Sequence, residues 1–322
     1  PTMPPIKGWP SMTLTVCWMV ISKPSSTPAS PPTPRPGWLR SRMSDPRQLI
    51  RQAASRLRQA AVASPEYDAR ALLAHVLGVP LGQLALVDEV GDEDRVVFDE
   101  LISDRCARVP LQHLTGVAHF RQISVAVGPG VFVPRPETEL LAGWAIERAA
   151  ECDSPMVVDL CSGSGAIAKA IADELPGAEV HAVELDLEAF SWCQRNLADT
   201  SVIVHQGDLS ETLAHLDGQV DVVVCNPPYV PLTAFDGVDE EARRHDPAVA
   251  LFSGDDGLEA MRALERRAAK LLRPGGWLGA EHADLQGDLA PAIFAQTGRW
   301  DQVRDHLDLA GRPRFVTARL AR

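Results

Sequence analysis

Strands and helices alternate from residue 156 to the C-terminus, and this order limits the possible folds more than any other feature of the chain. Short runs rich in Val, Ile and Ala end at turn residues and are separated by segments in which apolar residues recur at helical spacing. The pattern predicts an α/β domain with a mostly parallel sheet and crossover helices. The predicted strands are 156–160, 179–183, 202–205, 221–225, 277–281, 302–307 and 314–320, and the helices between them include 166–174, 187–197 and 257–272.

A small helical domain is predicted before this region, over residues 44–110. Ser44 or Asp45 can cap its first helix, and Pro46 suits the first helical turn. A domain of this size is marginal on its own, so we expect it to pack against the rest of the chain. The further helices predicted from apolar spacing are 67–77, 81–87 and 92–108.

A connector over residues 111–135 is predicted to form a β-hairpin and to lead into the α/β domain at 136–322. Its apolar residues alternate, and the turn Gly128-Pro129-Gly130 is predicted to reverse the chain into a second strand at 131–133. The alternating residues are Phe120, Ile123, Val125 and Val127.

Residues 1–43 differ in composition from the rest of the chain. They include 10 of the 26 prolines and five basic residues, but no acidic residue. Such a segment buries too little apolar surface to offset its ordering entropy, so we predict a disordered extension. We expect the native protein to begin near Met43, although a short apolar run after Lys7 leaves a signal peptide as an alternative.

The charge of the remaining chain argues against direct nucleic-acid binding. Residues 44–322 carry 26 basic and 43 acidic residues, a net charge of −17, whereas a protein that grips a nucleic-acid backbone needs clustered Lys and Arg. No apolar run approaches the roughly 20 residues of a membrane span. The six cysteines lack CxxC spacing and form no zinc pattern with the histidines, so we predict reduced thiols, no metal and a cytoplasmic protein.

The first predicted strand ends in a glycine turn at residues 161–165 that is typical of a nucleotide-cofactor site and is called the cofactor turn below. Gly163 and Gly165 let a ligand approach the backbone, and Glu184, at the end of the second strand, can accept both hydroxyls of a ribose. The turn also fits the dinucleotide fingerprint. Asp159 favours S-adenosylmethionine instead, because a carboxylate there attracts a cationic amino group and repels a pyrophosphate. The predicted cofactor-binding residues are Asp159, Cys161, Ser162, Gly163, Ser164, Gly165, Glu184, Asp208, Leu209 and Asn226.

The fourth predicted strand runs into Asn226-Pro227-Pro228-Tyr229, which predicts a rigid acceptor loop. Two prolines fix φ and carry no N–H, so the loop is stiff and its carbonyls are free. Asn226 adds a side-chain acceptor and Tyr229 a flat face for a planar group. The loop suits a planar substrate with an –NH₂, either an amide or the exocyclic amine of a base. The Asn226 side chain and the Pro227 carbonyl can hold its two hydrogens and aim its nitrogen at a sulfonium methyl.

Five stretches together narrow the choice of substrate: residues 110–116, 133–141, 159–165, 226–229 and 247–258. With them the chain resembles the HemK family, the protein-glutamine methyltransferases that modify peptide chain release factors. The resemblance implies a helical domain that docks the protein substrate, a hairpin connector and a seven-stranded, Rossmann-like class I methyltransferase domain. It also implies that the Asn226–Tyr229 loop holds the glutamine of the Gly-Gly-Gln loop of bacterial class 1 release factors. Cys161 stands where the family usually has glycine, and Glu184 where Asp is commoner.

Two pairs of polar residues near the predicted site have open roles. Arg135 and Glu137, in the stretch Pro134–Glu139, are predicted to contact the substrate from a lid, with a helix-capping ion pair as the alternative. Glu281 and His282, at the end of the fifth strand, either contact the substrate or pair structurally.

Other functions compete with methylation of a release-factor glutamine. Asn-Pro-Pro-Tyr also occurs in amino-methyltransferases of DNA and RNA, and a ribosomal-protein glutamine methyltransferase is poorly separated by sequence. The glycine turn keeps a nicotinamide oxidoreductase open. A non-catalytic binding module is disfavoured, because both the cofactor turn and the acceptor loop are intact.

Overall fold

Four short α-helices open the part of the chain that this computed structural model describes, residues 43–322. Asp45 caps the first helix by accepting a hydrogen bond from the Arg47 backbone N–H at 2.8 Å, and Pro46 occupies the first turn, as predicted. Apolar residues of the first three helices and of the intervening 3₁₀ turn form one buried core. The helices are α1 (Pro46–Gln59), α2 (Pro65–Val76), α3 (Asp92–Cys106) and α4 (Leu111–Thr115), and the 3₁₀ turn is Leu81–Leu86.

The hairpin turns at a different place from the one predicted. Its strands are β1 (Val117–Phe120) and β2 (Ile123–Ala126), paired antiparallel and joined by a two-residue turn at residues 121–122. Phe120 and Ile123 are three residues apart, so the alternation with a period of two is interrupted between them. The hairpin turn lies at this interruption. The turn at 128–130 that was predicted to close the hairpin instead leads into an irregular segment, so that prediction was wrong.

A seven-stranded sheet follows, in agreement with the predicted class. Its spatial order is β5-β4-β3-β6-β7-β9-β8; neighbours from β5 to β7 are parallel, and β9 runs antiparallel to both β7 and β8. β4 and β6 lie on opposite sides of β3, so the strand order reverses between β3 and β6. Ligands of open α/β sheets bind at the carboxyl ends of the strands at such a reversal. The strands are β3 (Met156–Leu160), β4 (Glu179–Glu184), β5 (Ile203–Gln206), β6 (Val220–Cys225), β7 (Leu272–Glu281), β8 (Trp300–Leu307) and β9 (Pro313–Leu320).

Helices cover both faces of the sheet and bury its central strands. Val157 and Val158 point to opposite faces and belong to different apolar cores, as expected for adjacent residues of a strand. Two-sided burial explains why β3 and β6 are nearly continuous apolar runs. The helices are α5 (Thr138–Ala149), α6 (Ala166–Glu174), α7 (Leu187–Leu197), α8 (Glu240–His245), α9 (Ala248–Leu251), α10 (Glu259–Leu271) and α11 (Leu289–Ala295).

The helical segment is tied to the α/β region by a buried ion-pair network. Arg105 of α3 donates to Asp68 of α2 at 2.8 Å and to Glu241 of α8 at 2.6 Å. Arg105 and Asp68 are both buried. The predicted packing of the helical domain on its neighbour is therefore confirmed for these residues.

Residues 1–42, to which most of the predicted disordered extension belongs, lie outside the described residues. Among residues 43–322, no helix combines the length and the apolar character needed to cross a membrane. The five cysteines of this part of the chain are free thiols, in agreement with the prediction for them.

Candidate active site

One cavity of about 410 Å³ lies at the carboxyl ends of the parallel strands. It is lined at one end by the cofactor turn and at the other by the acceptor loop. Most residues predicted for the site therefore meet in a single space. Those that line it are Cys161, Ser162, Gly163, Ser164, Glu184, Asp208, Leu209, Asn226, Pro228 and Tyr229.

Asp159 lies under the cofactor turn and is fully buried. Its Oδ2 accepts a hydrogen bond from the Ala168 backbone N–H at 3.2 Å, while its Oδ1 has no partner among the described residues. Burial raises the pKa of Asp159 to about 7, because a charge is costly in a dry interior. A buried acceptor without a donor suits the cationic amino group of S-adenosylmethionine. Asp159 is not among the described residues that line the cavity, however, so this contact stays a prediction.

The turn itself depends on left-handed backbone conformations. Gly163 and Gly165 have φ of +55° and +82°, and a Cβ on Gly165 would lie 3.0 Å from the Leu197 side chain. Gly165 therefore permits both the turn and the close packing of α7. Cys161 adopts φ of +59°, a conformation that glycine tolerates better, and its side chain packs on the apolar core that contains Cys225.

Glu184 connects the cofactor turn to the loop that follows β4. Its Oε2 accepts from the Gly163 N–H at 2.8 Å and its Oε1 accepts from the Asp186 N–H at 2.9 Å. Burial raises the pKa of Glu184. The carboxylate is thus held in one orientation at the cavity wall, while each oxygen keeps a lone pair for a further donor.

Asp208 follows β5 and is engaged in its own turn. Its Oδ1 accepts from the Ser210 N–H at 2.8 Å and from the Ser210 hydroxyl at 2.6 Å. Asp208 lines the cavity beside Leu209, and its role in cofactor binding stays a prediction.

The acceptor loop is supported from behind by residues distant in sequence. Gln286 donates from Nε2 to the Tyr229 carbonyl at 3.0 Å, and a Cβ on Gly257 would clash with the same oxygen. No N–H or hydroxyl of residues 43–322 donates to the Pro227 carbonyl. Pro227 is buried and is not among the described residues that line the cavity, so its predicted contact with the substrate stays a prediction.

Four side chains, two of the acceptor loop and two beside it, form a connected hydrogen-bond network. The Asn226 Nδ2 lies 3.3 Å from the Thr138 Oγ1, which in turn lies 2.7 Å from the Glu281 Oε2. The Tyr229 hydroxyl donates to the Glu281 Oε1 at 3.2 Å. Burial raises the pKa values of Glu281 and of the Tyr229 phenol. Glu281 therefore forms structural hydrogen bonds with its neighbours and is not among the described residues that line the cavity.

Thr138 is a site residue that sequence reasoning missed. It stands inside the Pro-Arg-Pro-Glu-Thr stretch, but nothing in its local pattern separates it from an ordinary residue at the start of a helix. His282, the other residue with an open role, lies 2.9 Å from Asp305 through its Nε2 and is buried.

Arg135 and Glu137 do not form the ion pair that was the alternative to a substrate contact. Arg135 pairs with Asp246 at 2.6 Å and lies over the Phe132 ring, whereas Glu137 lies 3.6 Å from Arg312. Neither is among the described residues that line the cavity. A direct substrate contact by either residue stays a prediction.

Comparison with known proteins identifies the family. A family model described as the PrmC N-terminal domain matches residues 48–116, and one described as a methyltransferase small domain matches residues 136–237. The release factor glutamine methyltransferase of Streptomyces coelicolor is 52% identical over 84% of this chain and 97% of that protein. This chain belongs to the release factor glutamine methyltransferase family.

Further members of the release factor glutamine methyltransferase family are similar over the same extent. The protein of Mycolicibacterium smegmatis is 45% identical over 86% of this chain and 98% of its own length, and that of Corynebacterium glutamicum is 42% identical over 84% and 98%. The resemblance predicted from the five stretches is thus confirmed, and so is the enzyme class, an S-adenosylmethionine-dependent methyltransferase.

Proposed function

We propose that this chain transfers a methyl group from S-adenosylmethionine to the side-chain amide nitrogen of the glutamine in the Gly-Gly-Gln loop of bacterial class 1 release factors. The observation that carries the proposal is the shared cavity, since both the cofactor turn and the acceptor loop line it. Family membership supports the same substrate.

The acceptor loop provides what an amide nucleophile requires. A carboxamide nitrogen is a poor nucleophile because its lone pair is delocalised over the carbonyl. The Asn226 Oδ1 and the Pro227 carbonyl accept its two hydrogens, which raises the electron density on the nitrogen. S-adenosylmethionine supplies, when bound, a methyl group on a cationic sulfur. Positioning by two acceptors on a stiff loop accounts for most of the rate enhancement, and up to roughly 7–11 kcal/mol is available from it.

Tyr229 provides a wall for the planar amide. Its hydroxyl is anchored on Glu281, so the ring is held in place. Three phenylalanines also line the cavity, and they suit the apolar parts of a peptide loop better than a nucleic-acid phosphate. These are Phe120, Phe132 and Phe252.

We also propose that the helical domain docks the release factor. It carries exposed apolar side chains, of which Leu86 is 79% exposed, and these are available to a protein partner. The other exposed apolar residues of this domain are Tyr67, Val96 and Val97. Because release factors act on ribosomes in the cytoplasm, we propose the same compartment for this enzyme.

Mass spectrometry of a purified release factor tests the function. After incubation with enzyme and S-adenosylmethionine, we expect one added methyl group on the glutamine of its Gly-Gly-Gln loop. A release factor with that glutamine replaced by alanine is the matched control and should gain none. Methyl transfer to total RNA, DNA or a ribosomal protein, with none to the release factor, would contradict the proposal.

A further inference from the structure

Thr138 stands between the acceptor loop and a buried carboxylate. It is the first residue of α5, is 4% exposed and lines the cavity. Its hydroxyl oxygen lies 2.7 Å from the Glu281 Oε2 and 3.3 Å from the Asn226 Nδ2. A hydroxyl has one hydrogen to donate and two lone pairs that accept, so Thr138 can donate to only one of these two groups.

Glu281 determines where the Thr138 hydrogen goes. The carboxylate is 1% exposed and receives one side-chain donor on each oxygen, Thr138 on Oε2 and Tyr229 on Oε1. The Thr138 hydroxyl donates to Oε2 and the Tyr229 hydroxyl donates to Oε1, so the Thr138 hydrogen points at Glu281. The Thr138 oxygen then has only lone pairs to offer to Asn226.

This arrangement leaves one favourable orientation for the Asn226 amide. Its NH₂ group must face Thr138, because the reversed amide would set its oxygen against another acceptor. Among residues 43–322 no donor reaches the Asn226 Oδ1, and Asn226 lines the cavity. The oxygen is therefore presented to the substrate and the donor is turned away from it.

We propose that Thr138 is a positioning residue that, together with Glu281, sets the amide orientation of Asn226, so that the site accepts hydrogens from its substrate and donates none. The inference rests on the proposed function, since it concerns how the same loop selects a carboxamide nitrogen. A site with this polarity binds an –NH₂ group and rejects a carboxylate, which has no hydrogen to offer.

Two substitutions at Thr138 separate orientation from packing. Thr138→Val keeps the branched shape and removes the hydroxyl, whereas Thr138→Ser keeps the hydroxyl. We expect Thr138→Val to lower kcat for release-factor methylation at least about 10-fold, the scale for losing one positioned hydrogen bond, and Thr138→Ser to retain activity within about 3-fold. The affinity for S-adenosylmethionine, measured by calorimetry, should stay within about 2-fold in both, because the cofactor turn is untouched.

A double-mutant cycle provides a readout that a purely structural role would not move. In the Asn226→Ala background, Thr138→Val should cause no further loss of kcat, because there is no amide left to orient. An equal loss in both backgrounds, or unchanged kcat in the single variant, would overturn the proposal. If wild-type enzyme leaves the release-factor glutamine unmodified, the proposed function fails instead, and the two failures are distinguishable.

Glu281→Gln tests the same relationship from the other side, including the case in which Thr138→Val does not fold. The introduced amide can donate its NH₂ to Thr138, which frees the Thr138 hydrogen to point at Asn226 and favours the reversed orientation of the Asn226 side chain. We expect kcat to fall at least about 10-fold while cofactor affinity is retained. Wild-type kcat in a folded Glu281→Gln enzyme would also overturn the proposal.

Discussion

Leu160 of β3 is the register partner of Cys225 of β6, so the two central strands end side by side. The residues that follow them are the cofactor turn and Asn226. Because parallel strands keep this register rigidly, the cofactor end and the acceptor end of the cavity are set by backbone hydrogen bonds rather than by flexible loops. The sheet thus places the cofactor turn and the acceptor loop side by side.

Asn226→Ala is expected to separate turnover from cofactor binding. The substitution removes the acceptor that is proposed to hold the substrate amide but leaves Asp159 and Glu184 in place. We predict a loss of kcat of at least about 100-fold, the scale for lost positioning of a reacting group, with affinity for S-adenosylmethionine within a few-fold. Steady-state kinetics and calorimetry measure the two quantities. Unchanged turnover would remove Asn226 from the mechanism.

Cofactor affinity is expected to depend on pH through Asp159. Burial raises the pKa of Asp159 to about 7, so the carboxyl is largely protonated below that pH and does not attract an ammonium group. We predict that affinity increases as the pH rises from about 6 to about 8 and that binding near pH 7 releases protons. Calorimetry in two buffers with different ionisation enthalpies detects that release.

Asp159→Asn is the control for this pH dependence. It is expected to weaken cofactor binding but to stabilise the cofactor-free protein. The folded-state pKa lies above the ordinary value of 3.8, so the cofactor-free protein loses stability as the pH rises through the range from 3.8 to about 7. Asparagine removes this loss, and it should also remove the pH dependence of cofactor binding. At pH near 8 we expect affinity at least about 10-fold lower than wild type, since a charged hydrogen bond is missing. Equal affinity would show that Asp159 does not contact the cofactor.

Glu184→Gln is expected to loosen the cofactor site. Both carboxylate oxygens accept a backbone N–H, from Gly163 and Asp186, and glutamine replaces one acceptor by a donor. We predict cofactor affinity lower by about 10-fold or more, together with a lower Tm, because a partly buried N–H loses its partner. The matched control Glu211→Gln, at an exposed position, should change neither quantity. A Glu184→Gln protein that binds cofactor like wild type would contradict this role.

Arg105→Met is expected to destabilise the protein through the buried network between α3 and α8. The substitution leaves the carboxylates of Asp68 and Glu241 without their partner. We predict a decrease in the free energy of unfolding of about 3–5 kcal/mol, the usual scale for breaking a buried pair. In the control Arg262→Met, which breaks an exposed pair with Asp256, the decrease should be under about 1 kcal/mol. Chemical denaturation measures both, and equal effects would argue against the buried network.

The elements of the α/β region were predictable because the signals for them are local. Central strands buried on two faces read as apolar runs, and turns are marked by glycine and proline, so six of the seven strands were predicted within two residues. β7 begins five residues earlier than predicted, because it includes the Pro-Gly-Gly stretch that reads as a turn. The hairpin was misplaced for a local reason as well. The alternation of apolar residues is interrupted only once, between Phe120 and Ile123. The glycine-proline stretch nearby is a stronger sequence signal for a turn.

The sequence by itself determined the α/β class, the cofactor turn around Gly163 and the Asn226–Tyr229 loop, because period and turn chemistry act between near neighbours. Only the tertiary structure decided which side chains support that loop. Thr138 is 88 residues from Asn226 and 143 from Glu281 along the chain, and Arg135 is 111 from Asp246. Such pairs depend on strand order and helix packing, which no local pattern encodes, so the polarity of the acceptor site became visible only in the folded protein.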